Sequence, residues 1–115
     1  MSTRLPFLRR AVDAWQVVRV TGESMRPTLS PGDLLLVRRG AVPQAGDLVV
    51  ADLPRGRGPG VKRAVRQETD GWWVERDSPA TGSDSWLFGT VPTDDLLGVV
   101  RARLWPRPGR LQPRR

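Results

Sequence analysis

One serine and one lysine stand out as residues that could do chemistry together. Ser24 follows an apolar run over residues 15–20 that predicts a strand, and it lies on a turn between Gly22 and Pro27. Gly22 lets the backbone turn without a Cβ clash, and Pro27 restricts its own φ and the residue before it. A serine fixed on such a turn could act as a nucleophile, although most serines in this setting are ordinary turn residues.

The composition restricts which group could activate this serine. The chain has no histidine and no cysteine, which excludes a Ser-His-Asp triad, cysteine-histidine chemistry and the usual zinc ligands. All but one of its 19 basic residues are arginine, which stays protonated in proteins, and the exception is Lys62. A buried lysine can lose its proton near neutral pH. Lys62 is therefore the leading candidate base, ahead of the terminal amine. The alternative interpretation is that Lys62 is an ordinary charged residue exposed to solvent.

Short strands dominate the predicted secondary structure. Residues 60–66 alternate so that Lys62 and Ala64 share one face of a strand. Further apolar runs, each preceded by a turn, predict strands at residues 34–37, 48–51, 72–75 and 96–104, and the run at 72–75 is expected to form a hairpin with the lysine strand. The pattern favours a mainly β fold of short antiparallel strands, of barrel or sandwich type, with few helices.

The chain is divided into three parts by composition. Residues 1–14 predict an amphipathic N-terminal arm, residues 15–105 a single domain that would carry the catalytic residues, and residues 106–115 a Pro/Arg-rich tail with little order. No apolar run reaches the length of a transmembrane anchor or a signal peptide. We therefore expect a cytoplasmic protein, which the lack of cysteine fits.

The net charge of +7 is concentrated at the two ends of the chain. Nine of the 19 basic residues lie within residues 1–12 and 101–115, which contain no acid, so ten basic residues face 12 acidic ones in between. Because the body has no basic stripe, we do not expect nucleic acid as a partner. A nucleic-acid binder with basic tails stays open as an alternative, and it would bind with a steep dependence on salt.

Three segments resemble, in order, the sequence boxes of type I signal peptidases. Residues 24–29, Ser-Met-Arg-Pro-Thr-Leu, resemble the serine box, and residues 46–50 followed by 61–65 resemble the Gly-Asp strand and the Lys-Arg box. Residues 84–92 resemble the closing box. The resemblance implies a mainly β signal-peptidase-like core in which Ser24 is the nucleophile and Lys62 its general base, with no metal or cofactor.

The same resemblance implies further site residues. A shallow apolar pocket for a small substrate side chain would be formed by Val20, Met25, Leu29 and Val61, with a core position equally expected for Leu29. Supporting positions would be Gly22, Ser83 and Asp84.

Two positions depart from the signal-peptidase pattern. Gly82 stands where the family usually has a serine that orients the lysine, so Ser83 or Thr81 would take that role. Trp86 stands where the closing box has the arginine that pairs with the aspartate, here Asp84. In addition, Arg-Asp-Ser at residues 76–78 replaces the family's Gly-Asp-Asn.

Among soluble relatives, the chain most resembles the nickel-type superoxide dismutase maturation proteases. It shares their short length, the lack of an anchor, and an ending that reads Leu-Trp-Pro-Arg-Pro-Gly-Arg-Leu at residues 104–111. This resemblance implies a cytoplasmic serine endopeptidase that removes the N-terminal prosequence of a nickel superoxide dismutase precursor. Cleavage would free the N-terminus that binds nickel.

Two other functions stay open. A repressor-type self-cleaving peptidase shares the Ser-Met and Val-Lys-Arg patterns, but it would need a scissile bond upstream of the serine, whereas the Ala-Gly pair at residues 45–46 follows it. A non-catalytic peptide-binding relative is disfavoured, since a binder needs neither Ser24 nor Lys62.

Overall fold

The computed structural model describes residues 14–111, 113 and 114. The predicted N-terminal arm, residues 1–14, lies outside the described residues except for Ala14. The elements are β1 (Trp15–Arg19), β2 (Leu34–Arg39), β3 (Leu48–Leu53), β4 (Gly58–Glu68), β5 (Gly71–Glu75), α1 (Ser85–Phe88), a 3₁₀ turn (Thr93–Asp95), β6 (Leu96–Trp105) and β7 (Gly109–Arg110). Within this part of the chain, no helix has the length and apolar character needed to cross a membrane.

All strands belong to one antiparallel sheet. Their order is β1-β2-β6-β3-β4-β5, and β7 pairs with β6. The prediction of a mainly β fold with few helices is confirmed. The long strand β6 lies between β2 and β3, so the serine turn after β1 and the lysine on β4 belong to opposite halves of the sheet.

The core lies on both faces of this sheet. One cluster contains apolar side chains of the serine turn and of β2, β3, β4 and β6, while the other is built around β3, β5 and the segment after α1. The neighbouring residues Val49 and Val50 belong to different clusters. A strand covered on both faces needs apolar residues at consecutive positions, which explains the unbroken apolar run in β3.

The hairpin predicted between the lysine strand and residues 72–75 is present as β4 and β5. Trp72 is buried and Trp73 is partly exposed, as expected for adjacent residues that point to opposite faces.

The C-terminal tail folds back on the sheet, where the sequence predicted little order. Residues 109–110 pair with Ala102 and Arg103 of β6, beyond the point where β3 stops pairing with that strand. The Arg114 backbone N–H also donates to the Gly46 carbonyl oxygen at 2.9 Å. The free sheet edge supplies partners for tail backbone groups, which composition alone does not reveal.

Candidate active site

The turn that carries Ser24 is fixed by its apolar neighbours. The Leu29 N–H donates to the Met25 carbonyl oxygen at 2.9 Å, and both side chains are buried in the core at 1% and 2% exposure. Gly22, just before the serine, has a φ of +79°, a left-handed value that favours glycine. Burial of Met25 and Leu29 therefore holds the turn while Ser24 itself keeps partial access to solvent.

The structure brings Ser24 and Lys62 into direct contact. The Lys62 Nζ donates to the Ser24 Oγ at 3.0 Å, and the lysine side chain reaches the serine from β4. Only 4% of Lys62 is exposed. Burial lowers the pKa of Lys62 below the ordinary 10.5, the negative charge of Asp84 opposes this change, and the positive charges of Arg76 and Arg57 add to it. Burial thus shifts the Lys62 amine toward its neutral form, next to the Ser24 hydroxyl.

Arg76 is the positively charged partner of Asp84, a role for which the sequence showed no obvious residue because Trp86 replaces the usual arginine. The Asp84 carboxylate caps α1 by accepting from the Trp86 backbone N–H at 3.1 Å, and it also accepts from the Arg76 backbone N–H at 3.1 Å. The Arg76 guanidinium lies 3.7 Å from the same carboxylate. The Trp86 side chain is 74% exposed and donates to Glu75 instead. Asp84 therefore has an arginine partner, supplied from the altered segment 76–78.

Gly82 packs against the back of the candidate nucleophile. A Cβ added at this position would lie 2.4 Å from the Ser24 Cβ, and the Gly82 φ is +108°. A serine, which the signal-peptidase pattern has here, does not fit this backbone. Within residues 14–111, neither Ser83 nor Thr81 hydrogen-bonds to Lys62, so the predicted substitute for that serine is not observed.

Ser78 connects Ser24 to Arg76. Its backbone N–H donates to the Ser24 carbonyl oxygen at 2.9 Å, and its own carbonyl oxygen accepts from the Arg76 Nε at 2.8 Å. The Ser78 hydroxyl accepts from the backbone N–H groups of Ala80 and Thr81, each at 3.2 Å. Residues 76–82 therefore form one hydrogen-bonded segment that supports both Asp84 and Ser24.

A buried ion pair ties the serine turn to the lysine strand. The Asp77 carboxylate accepts from the Thr28 hydroxyl at 2.6 Å and from the Arg63 Nε at 3.2 Å. Arg63, which follows Lys62 on β4, also donates to the Gly46 carbonyl oxygen at 3.0 Å, and Arg114 donates to Asp77 at 3.1 Å. Sequence reasoning noted Asp77 only as part of an altered motif and missed this network, because its members are far apart in the chain.

The pKa of Asp77 reflects these contacts. Burial by itself raises it, but hydrogen bonds from Arg63 and Thr28 and the charges of Arg63 and Arg114 outweigh burial, so the pKa falls below the ordinary 3.8. A carboxylate with a lowered folded pKa stabilises the fold above its unfolded pKa. That contribution is lost as the pH falls through the folded pKa.

We expect Asp77→Asn to lower the free energy of unfolding by about 3 kcal/mol, because it leaves the Arg63 guanidinium buried without its charge partner. Urea unfolding at pH 7 measures the loss. Glu68→Gln is the control, since it breaks an exposed pair with Arg66 and should change stability by less than about 0.5 kcal/mol. Equal effects of the two substitutions would contradict the structural role assigned to Asp77.

A cleft of about 410 Å³ opens beside the Ser24–Lys62 contact. Three of the predicted pocket residues, Val20, Met25 and Val61, line it, whereas Leu29 does not and is buried in the core. Leu29 faces away because it closes the serine turn onto β2 and its neighbours.

Two strand edges border this cleft. In the described part of the chain, β1 pairs only with β2, and residues 58–62 of β4 pair only with β3, since β5 joins β4 from Arg63 onward. Both edges contribute lining residues. The backbone groups on these edges can therefore hydrogen-bond to an extended peptide. In the same described residues, no group of three or more acidic side chains could hold a metal ion.

Comparison with known proteins identifies the class. A model of the Peptidase S24-like family matches residues 3–88, which include Ser24, Lys62 and Asp84. The chain therefore belongs to the Peptidase S24-like family, and its class is that of a peptidase, a hydrolase with a protein substrate. A search of the curated proteins found no match.

Proposed function

We propose that the protein is a serine endopeptidase in which Ser24 is the nucleophile and Lys62 the general base. The observation that carries this proposal is the 3.0 Å contact between the Lys62 Nζ and the Ser24 Oγ, made by the chain's one lysine in a buried position. A distance of this size allows proton transfer in either direction. Lys62, once neutral, accepts the hydroxyl proton through its lone pair.

The proposed reaction has two halves, the formation of an acyl-enzyme and its hydrolysis. As Lys62 takes the Ser24 proton, the Oγ forms a bond to the scissile carbonyl carbon, and the peptide C–N bond breaks when Lys62 returns the proton to the departing amine. Water then attacks the acyl-enzyme ester, gives its proton to Lys62, and releases the acid. The proton on Lys62 finally returns to the Ser24 Oγ, which restores the starting state.

The Ser24 backbone N–H is the candidate donor to the developing oxyanion. Within the described residues it makes no hydrogen bond to a protein acceptor, so it is free to bind the carbonyl oxygen of a substrate. Gly22 has no hydroxyl, and the second donor that some signal peptidases place two residues before the nucleophile is absent from this position.

The substrate would lie extended in the cleft between β1 and β4. Its backbone would pair with the two free edges, and a small side chain before the scissile bond would enter the apolar pocket formed by Val20, Met25 and Val61. The resemblance to nickel-type superoxide dismutase maturation proteases supports one particular substrate. We assign to this cleft the N-terminal prosequence of a nickel superoxide dismutase precursor, encountered in the cytoplasm.

A co-incubation tests the proposal directly. The purified protein is mixed with a nickel superoxide dismutase precursor, and intact mass is followed for wild type, Ser24→Ala and Lys62→Ala. We expect the leader to be lost with wild type alone. Cleavage by Lys62→Ala at the wild-type rate would show that the base is another group. If wild type cleaves small-residue peptides but not the precursor, the substrate assignment fails and the dyad stands.

Self-cleavage is the second candidate, since repressor-type relatives share the motifs. The Ala45–Gly46 pair lines a separate pocket with Arg63 and Arg114, and none of the residues around that pocket line the cleft at Ser24. We therefore expect the mass of the purified wild type to stay unchanged on prolonged incubation. A Ser24-dependent break between Ala45 and Gly46 would favour self-cleavage instead.

The pH profile should report the environment of Lys62. Because only the neutral amine can act as base, kcat/KM is expected to rise with pH through the pKa of Lys62, below the ordinary lysine value. Arg76→Gln removes a positive charge that lowers this pKa, so the rising limb should move to higher pH. Arg66→Gln, which changes an exposed arginine stacked on Trp73, is the control. A profile that Arg76→Gln leaves in place would contradict this account of Lys62.

A further inference from the structure

An arginine, Arg19, lines the cleft, and no acidic residue is among those that line it. Arg19 at the end of β1 is exposed and lines the cleft, while Asp52 and Glu23 on adjacent elements do not. Within the described part of the chain, the Arg19 side chain makes no hydrogen bond or ion pair. An exposed guanidinium without a partner, in a cleft whose lining contains no acidic residue, can pair with a carboxylate of a bound peptide.

A second arginine, Arg57, adds positive charge near Lys62 without lining the cleft. Arg57 lies on the turn between β3 and β4, is exposed, and places its guanidinium 5.8 Å above the ring of Phe88. It makes no ion pair within residues 14–111. Its positive charge contributes to lowering the pKa of Lys62, so Arg57 lies within electrostatic range of the site. By contrast, Arg76 is already paired with Asp84.

We propose that the cleft carries a carboxylate-binding subsite formed by Arg19, so that the preferred substrate has an acidic side chain within about three residues of its scissile bond. An extended peptide advances about 3.3 Å per residue, so such a side chain lies within about 10 Å of Ser24 and in reach of the cleft walls. This inference rests on the proposed function for the place of the scissile bond. The charge preference itself needs only that peptides bind in the cleft.

The test uses short peptides with a small residue before the central bond. One set carries a single Glu, Gln or Lys at each of three positions on either side of that bond. We expect wild type to cleave the best Glu peptide about fivefold faster than its Lys counterpart in kcat/KM, the effect of an ion pair of about 1 kcal/mol. Arg19→Glu should reduce or reverse this preference, whereas Arg57→Glu, outside the cleft lining, should reduce it less. Arg101→Glu, the same charge change at an exposed position of β6, should retain it.

Binding separates this inference from the proposed hydrolysis. The same peptides, labelled with a fluorophore, are titrated against Ser24→Ala and followed by anisotropy, with the Glu peptides expected to bind more tightly and to weaken as salt is added. Acid preference in binding without any cleavage by wild type would contradict the proposed hydrolysis and support the subsite. Equal binding of Glu and Lys peptides, no binding of either, or a preference unchanged by Arg19→Glu would overturn the subsite.

Discussion

Lys62→Met is expected to lower kcat/KM by about 10⁴-fold while making the protein more stable. The activity falls because the proposed general base is removed, and positioned proton transfer contributes up to about that factor. The stability rises, on the order of 1 kcal/mol, because methionine fills a similar volume without placing an amine in a buried site. Few substitutions of a merely structural lysine would have these opposite effects.

The pH dependence of that stability difference has a definite sign. Burial lowers the folded pKa of Lys62 below the unfolded value near 10.5, so the unfolded chain binds more protons between those two pH values. The wild type should therefore recover stability relative to Lys62→Met as the pH rises through this window. Urea unfolding of both proteins across the alkaline range measures it.

The control for this experiment is Arg101→Met, which removes an exposed positive charge far along β6. It should leave both kcat/KM and stability close to wild type. If Lys62→Met kept substantial activity, the general base would have to be another group. If it were much less stable than wild type, Lys62 would be a structural cation instead.

Gly82→Ser, which restores the residue usual in signal peptidases, is expected to lower kcat/KM by at least about 100-fold. A Cβ at this position would lie 2.4 Å from the Ser24 Cβ and 3.0 Å from its Cα, so the nucleophile or the segment 78–82 must move. Misplacement of a reacting group by about 1 Å can cost a factor of this size. Steady-state kinetics with a small-residue peptide measures the loss.

Gly82→Ser has two effects that a control must distinguish, backbone strain and a steric clash with Ser24. Gly82 has a φ of +108°, so any side chain there is strained whatever it touches. Gly32→Ser is the matched control, because Gly32 has a φ of +94° with nothing within 4 Å of an added Cβ. Both variants should lose stability, about 1–2 kcal/mol for the control. Only Gly82→Ser should lose most of its activity, and equal kinetics would contradict the close packing assigned to Gly82.

The sequence by itself determined the strands and singled out the two candidate catalytic residues. Short apolar runs between Gly-Asp and Gly-Pro turns are local signals, and they placed β1 to β5 and the β4–β5 hairpin. Composition pointed to Lys62 because no histidine or cysteine is present and arginine does not deprotonate. The order of the motifs then predicted that Lys62 and Ser24 belong to one site, and their side chains are in contact at 3.0 Å in the structure.

Only the tertiary structure decided what surrounds those two residues. Arg76 replaces the expected partner of Asp84, Gly82 closes against Ser24, and Asp77 joins the serine turn to β4 through Thr28 and Arg63. These contacts link residues that are far apart in the chain, so no local sequence pattern predicts them. Strand pairing and burial determine which side chains of each segment face the site. Leu29, for example, packs in the core and does not line the cleft.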